Sequence, residues 1–279
     1  MINAVKIPLR SAAKIRVTEP LSGIAEIRLR AGRPGVCVNI FGDMRVCSEP
    51  FSAAEIADCF AEICRYSVHS FQEEIAQGFV TLEGGHRVGI CGTAVTNGGR
   101  IEMFKDISGL NIRIAHEVRG CADEIYSRFF RTSPRSLLIA GKPLCGKTTV
   151  LRDLARQLGE RHRVTLIDSR NELSASYHGT PSLDIGLNTD ALVGCAKSEG
   201  IMLALRTLSP EAIVCDELGD DEEAVARAMF CGVKLIASAH AGSLDELETG
   251  ERTRELARLF DCRALIGERG RLLEYREKG

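Results

Sequence analysis

The sequence predicts an α/β protein in which a parallel sheet with crossover helices follows a smaller α+β region. From about residue 134, short apolar runs alternate with helical stretches, as in parallel strands that are buried on both faces. Before residue 120, capping boxes and glycine turns indicate helices mixed with hairpins. The length of 279 residues suggests two domains at about 100 to 200 residues each. We therefore expect domains at 1–120 and 121–279.

The first region starts with two predicted strands, 26–32 and 36–42, around a Gly-Arg-Pro-Gly break. Capping boxes at Ser52–Glu55 and Ser70–Glu73 each precede an apolar run, so both predict the start of a helix. Further strands, punctuated by glycine turns, are predicted at 79–82, 86–95 and 109–115.

The second region contains four short apolar runs that predict buried strands, at 136–140, 164–168, 212–216 and 233–238. The stretches between and after them predict helices and a final hairpin. Helices are expected at 147–158, 190–208 and 221–231, with a charged helical stretch after residue 244 and the hairpin at 263–275.

Composition excludes several classes of protein. Residues 1–130 carry 15 basic and 15 acidic side chains and the remainder 21 and 23, so neither half has the positive excess of a nucleic-acid binder. No run approaches the 18 apolar residues of a membrane span, and no signal-peptide pattern opens the chain. The 11 cysteines lack zinc-type spacing, which favours reduced thiols. We expect a cytoplasmic protein that does not bind nucleic acid.

One motif predicts a phosphate site. Residues 141–149, Gly141-Lys142-Pro143-Leu144-Cys145-Gly146-Lys147-Thr148-Thr149, match G-x-x-x-x-G-K-[ST] between a predicted strand and a predicted helix. In such a loop, backbone N–H groups wrap the phosphates, the lysine reaches the β- and γ-phosphates, and the hydroxyl binds Mg²⁺. Lys147 and Thr148 are the candidates for the last two roles. A chance glycine-rich turn is the alternative.

Two adjacent carboxylates, Asp216 and Glu217, end the predicted strand 212–216. Parallel strands end at one edge of the sheet, so Asp216 can face the phosphate loop and hold Mg²⁺, usually through water. Glu217 could then orient and deprotonate a water for attack on the γ-phosphate. A solvated acidic loop is the alternative, because more acidic residues follow.

Two further strand ends point to the same edge. The strand 164–168 runs into Asp168 and Glu172, and the strand 233–238 runs into His240. Glu172 could position water or magnesium, and His240 could sense the γ-phosphate through a hydrogen bond. A lone histidine is more often structural, which is the alternative for His240.

The chain also resembles the stage III sporulation protein AA family, within the type II and type IV secretion ATPases. The resemblance spans most of the chain, and the block 67–120 is specific to the sporulation group, whereas the phosphate loop is generic. The segments that carry it are EIRLRAGRP at 26–34, SVHSFQEEIAQGFVTLEGGHRVGICGTAV at 67–95, ISGLNIRIAHEVRG at 107–120, GKPLCGKTT at 141–149, LIDSRNE at 166–172, LRTLSPEAIVCDELG at 205–219 and ASAHA at 237–241.

The resemblance implies a RecA-like P-loop ATPase domain that follows a smaller N-terminal domain and assembles as a hexameric ring, with ATP and Mg²⁺ as ligands. It also implies that Glu172 and His240 belong to the family's acidic and histidine boxes. Arg113 and Arg206 resemble arginines that stabilise charge on the transferring phosphate; surface ion pairing is the alternative for both. The chain lacks the longer helical tail that most secretion ATPases carry, which leaves the ring contacts open.

The implied function is a cytoplasmic ATPase that docks on a membrane complex of the sporulation apparatus and powers transport or assembly. Other classes remain possible: a nucleic-acid-dependent P-loop motor, which the neutral charge disfavours, a small-molecule kinase, and a nucleotide-gated scaffold. Against a kinase, Glu217 beside Asp216 is placed to activate water.

Overall fold

The computed structural model describes Ile15 and residues 23–219, 221–251 and 253–278. The chain divides into two compact units. The first runs to His116 and also takes in Ala175–Ser182, whereas the second consists of Glu117–Ser174 and Leu183–Gly279. The division into domains at 1–120 and 121–279 stays a prediction.

The described part of the first unit is built on an antiparallel sheet and two short helices. In chain order its elements are β1 (Ile24–Arg30), β2 (Arg33–Asn39), β3 (Met44–Pro50), α1 (Ala53–Ile63), α2 (Gln72–Ala76), β4 (Phe79–Thr81), β5 (Arg87–Asn97) and β6 (Arg100–Arg113). The strand order is β3-β2-β1-β6-β5-β4. Helix α1 packs its apolar face, which includes Ile56 and Ile63, into the core beneath this sheet.

The two predicted capping boxes have different outcomes. At the start of α1, Ser52 Oγ accepts from Glu55 N–H at 3.2 Å and Glu55 Oε2 accepts from Ser52 N–H at 2.7 Å, which confirms the first box. The second box is wrong. Ser70 lies in a 3-10 turn, Val68–Phe71, and its hydroxyl pairs with Ser67 Oγ at 2.9 Å, so α2 starts only at Gln72 without a side-chain cap.

The segment Ala175–Ser182 folds as part of the first unit. The Arg65 guanidinium lies over the Tyr177 ring, 5.2 Å from its centroid, and Ser182 Oγ accepts from Gly84 N–H at 3.2 Å. At Gly85, which has φ +75°, a Cβ would lie 2.0 Å from the Cβ of Ala175. Glycine is therefore required at residue 85, where the turn after β4 meets this segment.

The described part of the second unit alternates strands and helices. Its elements are α3 (Asp123–Phe129), β7 (Leu137–Gly141), α4 (Lys147–Gly159), β8 (Val164–Asp168), β9 (Thr189–Val193), α5 (Lys197–Thr207), β10 (Ala212–Cys215), α6 (Glu222–Phe230), β11 (Lys234–His240), α7 (Leu244–Thr249), α8 (Arg254–Leu259), β12 (Cys262–Ile266) and β13 (Leu272–Glu277).

These strands form a mixed sheet in the order β13-β12-β7-β11-β10-β8-β9. Every neighbouring pair is parallel except β12 and β13, which form the hairpin predicted at the end of the chain. Apolar side chains on the two faces of the sheet enter two separate cores, so helices cover both faces. The predicted α/β class, with an α+β region before a parallel core, is confirmed.

Three local predictions were incomplete or wrong. The helix expected at 190–208 starts only at Lys197, because Thr189–Val193 pairs with β8 as a parallel edge strand. Strand β3 was not predicted, and β6 starts at Arg100 and not at 109. In both strands most side chains are exposed, so neither shows the apolar alternation that sequence reasoning depends on. No helix in the described ranges is long and apolar enough to span a membrane.

Candidate functional site

The motif 141–149 forms the connection between β7 and α4, as its sequence predicted. Gly146 adopts φ +107°, and a Cβ there would lie 3.0 Å from the Gly270 nitrogen. A Cβ on Gly141 would lie 2.5 Å from Cys145 Sγ and 3.0 Å from the Ile266 carbonyl oxygen. The loop is closed tightly enough that both glycines are required.

The amino end of α4 is suited to an anion. Its N-cap, Gly146, offers no side-chain acceptor to the first N–H groups of the helix. Four N–H groups at a helix start have no partner within the helix, and together with the helix dipole they attract negative charge. A phosphate in the loop would satisfy them.

Lys147 is buried, with 8% of its surface exposed, and its ammonium is turned back onto the loop. Nζ donates to the Gly141 carbonyl at 2.8 Å and the Lys142 carbonyl at 3.0 Å, and it lies 3.1 Å from Nδ1 of His240. Burial lowers the pKa of Lys147, while electrostatic interactions with Cys145 and Glu217 act to raise it and only partly offset the effect of burial. The ammonium is thus held among neutral acceptors at the mouth of the loop.

His240 links Lys147 to Glu217. The parallel register places His240 beside Gly141, and His240 Nε2 lies 2.9 Å from Glu217 Oε2. Because Lys147 can only donate, Nδ1 of His240 is the acceptor of that hydrogen bond, and the other ring nitrogen, Nε2, makes the close contact with Glu217. The structure therefore brings three predicted site residues into one chain of contacts, Lys147–His240–Glu217, in which the first link is a hydrogen bond and the second an ion-pair contact.

Asp216 follows β10 and is buried, with 6% of its surface exposed. Its Oδ1 lies 3.0 Å from Nζ of Lys197, the first residue of α5, yet this buried oxygen accepts no hydrogen bond of good geometry from the described residues. The two observations are compatible. An ion pair requires only that the charged atoms lie close together, whereas a hydrogen bond also requires a favourable angle between donor and acceptor. Asp216 is held by charge alone at that oxygen.

The donors that were expected to hold Mg²⁺ fit that ion. Thr148, in the first turn of α4, offers a hydroxyl, and Asp216 offers a buried carboxylate oxygen without a hydrogen bond. No cluster of three or more His, Cys, Asp or Glu side chains suited to a metal occurs within the described residues. Mg²⁺ commonly binds through one or two protein oxygens, waters and substrate phosphates, so this sparse set suits an ion that arrives with a nucleotide.

Asp168, at the end of β8, is fully buried, and its carboxylate accepts hydrogen bonds from the loop that follows it. Oδ1 accepts from Glu172 N–H at 2.8 Å, while Oδ2 accepts from the N–H groups of Leu173 and Ser174 at 3.1 and 2.7 Å and from Ser174 Oγ at 2.7 Å. The Arg152 guanidinium, on α4, donates to two backbone carbonyls of the same segment, at 2.5 Å to that of Glu172 and 3.0 Å to that of Leu173. The backbone of Glu172 is thus fixed from both sides.

We expect Asp168→Asn to lower the free energy of unfolding by about 3 kcal/mol, because an amide NH₂ would face N–H donors in a dry site. Urea unfolding followed by far-UV circular dichroism measures this. Asp190→Asn is the matched control, since Asp190 is exposed on β9. Equal stability of the two variants would show that the carboxylate charge of Asp168 is dispensable.

The two candidate arginines lie on β6 and α5. Arg113 is exposed at the end of β6 in the first unit, paired in register with Glu26 and Arg87. Arg206 is exposed in the last turn of α5, where its Nε donates to the carbonyl of Met202 at 3.2 Å. Their roles stay predictions.

Sequence reasoning missed Lys197 and Arg152. Lys197 lay in the middle of a helix predicted to start at residue 190, so nothing marked it as a residue at a helix start. Arg152 lies five residues beyond Lys147 on α4, but its partners are backbone carbonyls of another loop, which leave no pattern in the sequence.

The fold and this loop define the class of the protein. Among solved structures, the pilus retraction motor PilT with bound ADP matches with a TM-score of 0.57 and 15% identity, covering 87% of this chain and 74% of that one. The Legionella pneumophila ATPase DotB matches with a TM-score of 0.53 and 14% identity, covering 88% and 72%. The chain has the RecA-like fold of secretion ATPases.

The family follows from sequence. The family model for "Sporulation stage III, protein AA" matches residues 6–272. Stage III sporulation protein AA of Bacillus subtilis is 34% identical over 249 residues, covering 86% of this chain and 80% of that protein. The chain belongs to the sporulation stage III protein AA family, as its motifs indicated.

Proposed function

We propose that the chain is an ATP-hydrolysing motor of the secretion type that energises a membrane-associated transport or channel complex of stage III sporulation. The observation that carries this is the chain Lys147–His240–Glu217 at the mouth of the phosphate loop. It joins the residue that contacts phosphate to the carboxylate that activates water. The fold shared with DotB and PilT supports the motor class.

Binding of ATP is assigned to the whole loop, 141–149. The N–H groups at the start of α4 and the Lys147 ammonium contact the β- and γ-phosphates. Thr148 binds Mg²⁺ directly, and Asp216 binds it, usually through water. When bound, the ion neutralises charge that develops on the phosphates.

Hydrolysis is assigned to Glu217 as the base that orients and deprotonates water. His240 hydrogen-bonds Lys147 and lies 2.9 Å from Glu217, so it is placed to report occupancy of the γ-phosphate position to the base. Glu172 positions water or magnesium from its fixed loop. Arg113 and Arg206 stabilise charge on the transferring phosphate, supplied across the assembly.

The active form is a homo-oligomeric ring, a hexamer, located in the cytoplasm and held at the membrane by a partner complex. Neither half of the sequence carries a positive excess, which supports a protein partner over a nucleic acid. The residues 1–120 and 121–279 are its two domains.

The test is ATPase activity and molecular mass measured together, with ATP added, for the wild type and Glu217→Gln. We expect phosphate release by the wild type, far slower release by the variant, and a nucleotide-dependent increase in mass for both. A monomer that never hydrolyses ATP contradicts the ring motor. Stimulation by DNA, or phosphate transfer to a metabolite in a coupled assay, favours a nucleic-acid motor or a kinase instead.

A further inference from the structure

We propose that Lys197 neutralises the Asp216 carboxylate while the site is free of nucleotide and releases it when Mg²⁺ arrives with ATP. Lys197 thereby sets the affinity of the nucleotide complex for Mg²⁺. This inference rests on the proposed function in one respect, the assignment of Asp216 to the metal.

The geometry isolates this ion pair from solvent. Lys197 Nζ lies 3.0 Å from Asp216 Oδ1, and the two side chains are 15% and 9% exposed. Removing a carboxylate from water is costly unless a charge or hydrogen bonds compensate for it. Because Oδ1 accepts no hydrogen bond of good geometry from the described residues, the ammonium supplies that compensation.

Local structure gives no other reason for a lysine at residue 197. It is the first residue of α5, where the helix dipole favours negative charge. Glu199, in the same turn, has the expected sign. The positive charge of Lys197 therefore interacts unfavourably with the helix dipole, and the carboxylate of Asp216 compensates for this.

A lysine ammonium and Mg²⁺ compete for the same carboxylate oxygen. The ammonium is a compact charge on a flexible four-carbon stem, so it can leave the carboxylate without any movement of the helix. Mg²⁺ brings two charges and the phosphate oxygens that complete its coordination. Among the described residues, Lys197 is the cation that pairs with Asp216, so it holds the position for which Mg²⁺ would compete.

The test uses the full chain with a fluorescent, non-hydrolysable ATP analogue at saturation, titrated with Mg²⁺. We expect Lys197→Met to bind Mg²⁺ about tenfold more tightly, because one competing charge is gone. We also expect the nucleotide-free variant to unfold about 3 °C or more below the wild type, and this difference to vanish with Mg²⁺ and nucleotide. If Lys197→Met does not fold, both measurements are made on Lys197→Gln, which keeps a polar side chain without the charge.

Lys234→Met is the matched control. Lys234 also pairs with an aspartate, Asp261, at 3.3 Å, but lies at the start of β11, whereas the candidate site lies at the strand ends. We expect its Mg²⁺ affinity to match the wild type.

The outcomes separate the two proposals. Unchanged or weaker Mg²⁺ binding in both Lys197 variants, with the same loss of stability in every condition, assigns Lys197 a structural role and overturns the inference. If Asp216→Asn still weakens Mg²⁺ binding, the proposed function survives that result. Failure of the wild type to bind the ATP analogue overturns the proposed function and the inference with it.

Discussion

Glu217→Gln is expected to slow ATP hydrolysis by about 10³-fold while ATP binding stays close to that of the wild type. A positioned general base contributes about 10² to 10⁴ in rate, and an amide of the same shape cannot accept the proton of water. Single-turnover phosphate release and equilibrium binding of ATP measure the two effects separately.

The shape of the site should survive this substitution. Glu217 Oε2 lies 2.9 Å from His240 Nε2, and a glutamine amide has the same shape and can occupy the same position. His240 then keeps its contact with Lys147, so the phosphate loop is unaltered and only the chemistry is lost.

The chain contains its own control for this experiment. Glu211 Oε2 lies 3.0 Å from His162 Nδ1, a second histidine–glutamate pair. It precedes β10 and so lies at the opposite end of that strand from Glu217. We expect Glu211→Gln to hydrolyse ATP at the wild-type rate. Loss of activity in both variants, or in neither, contradicts the role of Glu217 as the base.

A cellular comparison addresses the scaffold hypothesis. If the protein acts only as a nucleotide-gated scaffold, Glu217→Gln leaves sporulation unchanged whereas Lys147→Ala abolishes it. If hydrolysis drives the process, both variants abolish sporulation.

The sequence predicts the parts of this site that depend on local order. The loop motif lies between a strand and a helix, and parallel strands end at one edge, so the proximity of His240 and Glu217 to Lys147 follows from strand assignments alone. In the same way, the first capping box depends only on Ser52 and Glu55.

Other features depend on contacts that sequence order does not contain. The pair Lys197–Asp216 joins a helix start to the end of another strand, and the predicted helix had the wrong start. The hydrogen bonds from Arg152 and to Asp168 that fix Glu172 involve its backbone carbonyl and N–H, and those groups give no sequence signal because nearly every residue has them. The predicted role of Arg113 depends on the proposed assembly of chains, which leaves no local pattern in the sequence.

Lys147→Ala is expected to weaken ATP binding by at least about 100-fold, because charge-assisted contacts of this kind contribute about 2 to 5 kcal/mol. The ammonium is buried and bonded to two neutral carbonyls, and burial lowers its pKa. Phosphate oxygens are better partners for this charge than carbonyls are, so Lys147 gains more from ATP than it gives up.

The same reasoning predicts the stability of this variant. Removing a buried ammonium relieves the cost of its desolvation, so Lys147→Ala should unfold at or above the wild-type temperature without ATP, and ATP should no longer raise that temperature. Titration calorimetry and thermal unfolding test both points. Lys142→Ala is the control within the loop, since Lys142 is exposed and offers its carbonyl, not its side chain, to Lys147. Wild-type affinity in Lys147→Ala would place the phosphates away from this loop and remove the basis of the proposed function.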